Sequence, residues 1–153
     1  MPRSFVFPAA GSTSPRPNFA AYGVSKTGVV RLVETLAGEW QNQPLDINAV
    51  APGAIFTSMT EQVLASGATR AGQKEFEQAA KQTRDNAGQL QKVLALIEFL
   101  LANKSDGISG KLISAVWDDW ASFPEHRDEL TKSDLYTLRR IVPKDRGQTW
   151  GSK

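Results

Sequence analysis

The chain of 153 residues contains no cysteine and a single histidine, His126. The lack of thiols excludes disulfides, thiol catalysis, zinc–thiolate sites and iron–sulfur clusters together. One histidine rules out a histidine-built metal centre and argues against a Ser-His-Asp triad, so no metal site is expected. No apolar run approaches the roughly 18 residues that a membrane-spanning helix needs. The longest, residues 93–102, is interrupted by Glu98. Residues 1–4 lead into an apolar segment too short for a secretory signal. Charge of one sign is also scarce. Lys+Arg 18 against Asp+Glu 16 leaves +2, an excess too small for a nucleic-acid footprint. The composition therefore points to one soluble domain in a reducing, cytoplasmic compartment, with no nucleic-acid or membrane partner.

What is present alternates between strand and helix. Residues 4–7, Ser-Phe-Val-Phe, form a short β-type run ended by Pro8. Residues 9–18 are rich in Gly, Ser, Thr and Pro and read as a loop. Residues 19–41 carry apolar side chains at Val29, Val30, Val33, Leu36, Ala37 and Trp40, the spacing of an amphipathic helix, with Asn18 as its expected N-cap. Residues 46–51 form a short apolar strand ended by Pro52-Gly53. A polar excursion follows, with a short helix over 57–64, a break at 66–69 containing Gly67, and a polar helix over 73–84. It reads either as a lid over a site or as a solvated surface helix. Residues 86–103 form a second strong helix and residues 110–117 another strand. This order predicts an α/β fold of about three parallel strands with flanking helices. Residues 1–117 make the main domain and 118–153 an extension, with a helix or two over 125–142 and an irregular tail.

The segment Ala20-Ala21-Tyr22-Gly23-Val24-Ser25-Lys26-Thr27 carries the chemistry. Tyr22 and Lys26 lie one turn apart on one helix face. A nearby ammonium favours a phenolate, and a phenol so tuned can pass a proton to or from a carbonyl or alcohol oxygen. The spacing alone is weak, because any helix can carry it. Three blocks in order add weight: Tyr22-Gly23-Val24-Ser25-Lys26, then Asn48-Ala49-Val50-Ala51-Pro52-Gly53 followed by Thr57, then Gly107-Ile108-Ser109-Gly110-Lys111 before the last strand.

Together these blocks resemble the second half of the short-chain dehydrogenase/reductase family, over residues 5–116. The resemblance implies a Rossmann-like, doubly wound three-layer fold and an NAD(P)-dependent oxidoreductase. Hydride would pass between a nicotinamide cofactor, NAD or NADP, and a small-molecule carbonyl or secondary alcohol. It implies that Tyr22 is the general acid/base and that Lys26 supports Tyr22 and meets the nicotinamide ribose. Pro52, Gly53 and Ile55 would form the turn against the nicotinamide, and Thr57 would contact the cofactor. Ser25 would be structural.

The chain departs from the family pattern at two points. The strand, Gly-rich turn and helix that receive a pyrophosphate have no counterpart here. The family's catalytic serine would fall where this chain reads Phe7-Pro8-Ala9-Ala10, and Ser12 and Ser14 are out of register. The expectation is a truncated or frame-shifted product of a longer gene. The alternative is a catalytically inactive remnant or assembly subunit. Without the first half of the sheet, Val29 and Val33 are expected to be partly wet. The chain would then form a homo-oligomer or pair with a chain supplying the missing half. Of the remaining features, His126 reads as a surface residue and Asp118-Asp119 as a solvated pair. Trp117, Trp120 and Phe123 read as packing groups, and Arg139, Arg140, Lys144 and Arg146 as a solvated tail.

Overall fold

The computed structural model describes residues 2–6 and 12–151. Among them, three parallel strands form one sheet in the order β1-β2-β3, with β1 at Arg3–Val6, β2 at Asp46–Ala51 and β3 at Leu112–Ser114. Ser4 pairs with Ile47, and Val50 with Ile113. The predicted α/β fold with about three parallel strands is present. Helix α1 (Ala20–Glu39) links β1 to β2. Helices α2 (Ser58–Ala71), α3 (Gln73–Ala80) and α4 (Ala87–Leu101) link β2 to β3, and α5 (Arg127–Lys132) follows the sheet.

β2 is buried from Asp46 to Val50, as a central strand covered on both faces must be. Its alternation decides what each face meets. Ile47 and Ala49 pack with Val30 and Val33 of α1, while Val50 joins Leu96, Phe99 and Leu100 of α4 with Ile108 and Ile113. Each large side chain removed from water here contributes about 1.5–3 kcal/mol. The polar residues of β2 are satisfied. The Asn48 amide donates to Ile108 O (2.7 Å) and accepts from Lys111 N–H (3.0 Å). Gly107 N–H donates to the Asp46 carboxylate at 3.0 Å.

Four expectations are corrected. Val33 is dry, because α1 turns its Val30 and Val33 side toward β2; Val29 is half-buried as expected, and the large apolar residues of α1 left exposed are Val24 and Leu32. Asn18 does not cap α1: it sits at φ 69°, Phe19 occupies the cap position, and the first turn closes through Gly23 N–H to Phe19 O (2.8 Å). Residues 133–142 are not helical. Instead Leu112 N–H donates to Tyr136 O (2.8 Å), and the buried Lys111 ammonium donates to Ser133 O (3.2 Å) and Leu135 O (3.0 Å). These bonds lay the segment along the edge of β3, outcompeting local helix propensity. Last, the tail is not wholly irregular, since residues Pro143–Arg146 form a turn of 3₁₀ helix.

Candidate functional site

α1 runs back from the C-terminal ends of the strands, so its first turns lie at that edge of the sheet. Tyr22 and Lys26, both half-buried, occupy those turns. The Lys26 ammonium lies 5.5 Å from the centroid of the Tyr22 ring, within cation–π range. Ser25 Oγ donates to Tyr22 O (2.8 Å), a side-chain bond back onto the preceding turn of its own helix. Residues 7–10, where the family's serine would fall, lie outside the described residues.

A second cation faces the same ring. The Arg16 guanidinium lies 4.4 Å from the Phe19 ring centroid and 5.4 Å from that of Tyr22. Its Nη2 pairs with Glu75 of α3 at 2.6 Å, and both side chains are largely shielded from water. The Arg16 pKa is raised above its ordinary value, first by the hydrogen bond with Glu75 and in smaller part by Tyr22. The pair ties the polar excursion to the start of α1. α2 and α3 close a small apolar cluster of Val63, Ala71 and Ala79 against Phe19 and Leu64. The break expected around Gly67 is present, with φ 74° inside α2.

Residues 52–57 emerge from β2 at the same edge. Gly53 has φ 81°, and a Cβ there would stand 2.3 Å from Gln89 Nε2 and 2.7 Å from Val116 Cγ2. Only glycine fits such a turn without strain. The Gln89 amide donates to Pro52 O (2.9 Å). The Asn86 amide both accepts from Phe56 N–H and donates to Phe56 O, each at 2.9 Å. Thr57 opens α2, its N–H donating to Thr60 Oγ1 at 3.2 Å. Ile55 is half-buried and packs against the α4 core cluster.

The topology brings all six expected site residues to one sheet edge. No hydrogen bond or ion pair joins Tyr22 or Lys26 to residues 52–57 among the described residues. For a dinucleotide, the fit lies in the backbone of Gly53, Ala54 and Ile55: no hydrogen bond engages their N–H or C=O groups among the described residues. Three adjacent peptide units with free donors and acceptors suit a planar carboxamide. No group of His, Asp and Glu that could hold a metal ion occurs among the described residues.

The remaining sequence candidates have structural places. Asp118 accepts from Ser114 N–H (2.6 Å), and exposed His126 lies 3.5 Å from Glu129. Trp120 packs on Phe99 at 5.3 Å between centroids and Phe123 on Tyr136 at 4.9 Å, whereas Trp117 is 75% exposed. Arg16, Glu75, Asn86 and Gln89 were not legible as site residues. Asn86 carried the nearest signal, a polar residue at a helix start, yet its amide serves Phe56 while Asp85 Oδ1 accepts the Ala87 N–H (2.9 Å).

Over residues 7–115 the chain matches the family described as enoyl-(acyl carrier protein) reductase. It is 30% identical over 102 residues to the human protein named dehydrogenase/reductase SDR family member 4, covering 65% of this chain and 34% of the relative. It is 42% identical over 57 residues to 3beta-hydroxysteroid dehydrogenase 1 of Eggerthella lenta, covering 37% of this chain and 22% of that protein. It thus spans about a third or less of these relatives. A crystal structure of a short chain dehydrogenase from Salmonella enterica serovar Typhi shares the fold, with TM-score 0.56 and 23% identity over 74% of this chain and 41% of that one. With the matching family blocks, the shared sheet and these relatives together, the chain belongs to the short-chain dehydrogenase/reductase family.

Proposed function

We propose that residues 1–117 carry the proton-transfer and nicotinamide-facing part of an NAD(P)-dependent oxidoreductase site acting on a carbonyl or secondary alcohol. The observation that carries this reading is the stacking of Lys26 on Tyr22 at the sheet edge from which residues 52–57 emerge. When bound, the dinucleotide supplies or takes the hydride. Tyr22 Oη–H gives its proton to the carbonyl oxygen during reduction and recovers one from the alcohol during oxidation. The Lys26 ammonium, over the Tyr22 ring, is the donor available to a ribose hydroxyl. Pro52, Gly53 and Ile55 present backbone groups to a carboxamide, and Thr57 lies at the cofactor end of α2. The α2–α3 excursion, held through Arg16 and Glu75, shields this face from water. We assign the chain to the cytoplasm, with a small-molecule substrate and a homo-oligomeric or completing partner. Residues 118–153 are an extension that also buries Phe123 and Leu130 in the core.

The test is Tyr22→Phe. General acid/base catalysis contributes about 10²–10⁴-fold, so turnover with NADH or NADPH and a panel of ketones should fall by that factor with an unchanged circular dichroism spectrum. Equal activity in the variant removes Tyr22 from the chemistry. A second reading, a non-catalytic assembly subunit, is favoured by the exposure of Val24 (74%) and Leu32 (56%) along α1. That reading predicts a stable oligomer and no turnover in either protein.

A further inference from the structure

We infer that Asn86 and Gln89, on the threshold and first turn of α4, are positioning residues that pin both ends of the nicotinamide-facing turn and thereby set its affinity for a dinucleotide. This inference rests on the reading of residues 52–57 given above and extends it to a different element. Gln89 fixes the near end by donating to Pro52 O at 2.9 Å. Asn86 fixes the far end with a two-way grip on the Phe56 peptide groups, both bonds at 2.9 Å. Asn86 and Phe56 are 30 residues apart in sequence, so the grip is tertiary. The stretch between the pinned ends is the one whose backbone donors and acceptors stay unengaged among the described residues. Gln89 also lies where a Gly53 side chain would stand, 2.3 Å from its Cβ position. The glycine and the glutamine are thus a matched pair: the turn is narrow because the amide fills the space beside it.

The physical consequence is preorganisation. A turn held at both ends loses less freedom when a ligand docks on its middle, and that saving appears as affinity. Each lost amide bond should cost about fivefold in dinucleotide affinity, and both together should cost more than about tenfold.

The experiment uses the full chain as wild type, Asn86→Ala, Asn86→Asp, Gln89→Ala and the double alanine variant. Amide hydrogen exchange is followed by NMR without ligand. NADH and NADPH are then titrated by tryptophan fluorescence. The expected result is roughly tenfold faster exchange at the Phe56 amide in Asn86→Ala, unchanged exchange at Val50 in β2, and weaker dinucleotide binding. Asn86→Asp keeps the acceptor for Phe56 N–H and should restore protection there. A Phe56 amide that exchanges equally in wild type and Asn86→Ala overturns the pinning. Faster exchange with unchanged affinity overturns the positioning role. Absence of binding in the wild type overturns the functional reading and the positioning role with it, while the exchange result still reports the pinning separately.

Discussion

Gly53→Ala is the sharpest perturbation of the turn. At φ 81° the new methyl must be held in the left-handed region, at about 1–2 kcal/mol. It would also stand 2.3 Å from Gln89 Nε2 and 2.7 Å from Val116 Cγ2, well inside the ~3.5 Å of an ordinary contact. The Gln89 amide can swing away, but it then forfeits its hydrogen bond to Pro52 O, worth about 1 kcal/mol. Val116 is half-buried against the main core cluster, and driving it off its rotamer costs about 0.5–1.5 kcal/mol. The expected loss is about 3.5 kcal/mol, the sum of the strain, the lost bond and the displaced valine. For a chain of this size that corresponds to a fall in Tm of about 7–14 °C. Urea unfolding followed by tryptophan fluorescence reads it directly. Gly53→Ala combined with Gln89→Ala should lose less than the two single variants added, because the amide no longer opposes the methyl. A Gly53→Ala protein within about 0.5 kcal/mol of wild type would refute the close approach and the strain together.

Three further outcomes follow from the packing and the charges. Phe99→Ala, at a side chain only 2% exposed between sheet and α4, should cost about 3–5 kcal/mol in urea unfolding. Glu75→Gln removes the charge that Arg16 meets, so limited proteolysis should cut residues 66–84 faster than in wild type, with cleavage elsewhere unchanged. Burial raises the Asp46 carboxyl above 3.8; Gly107 N–H opposes the shift, Asp106 adds to it, and Arg3 opposes it. Just above pH 3.8 the folded chain therefore keeps a proton that the unfolded chain has released, and stability should fall as pH rises through that window. In the Asp46→Asn variant this fall, followed by urea unfolding across the same pH range, should vanish, while the new amide oxygen still offers Gly107 N–H an acceptor.

The sheet and its two large helices were legible because local signals agreed with tertiary demand. The residues of α1 and α4 recur at helical spacing, and β2 is an unbroken buried run closed by Pro52-Gly53. Tyr22 and Lys26 were legible because a helix fixes their relation within one turn. The residues that act through space were not. Arg16 meets Glu75 across 59 positions, and nothing local marks either as a partner. Asn86 is of the residue type that caps helices, a role its neighbour Asp85 takes over. Residues 133–142 show helical apolar spacing, yet the edge of β3 and the Lys111 ammonium offer their backbone better partners. Val33 was expected to be partly wet because the whole of α1 was assigned to a larger core, whereas Ile47 and Ala49 of β2, with Val6, Leu112 and Leu138 around them, suffice to cover it.

Dinucleotide binding at residues 52–57 is tested by titrating the purified chain with NADH and NADPH, read by tryptophan fluorescence. Trp117 suits it, being exposed and next to Val116, which borders Gly53. Saturable quenching at micromolar cofactor is expected, weakened in Gly53→Ala. Absence of quenching at millimolar cofactor, with a folded protein and a parallel calorimetric titration equally silent, would contradict binding there.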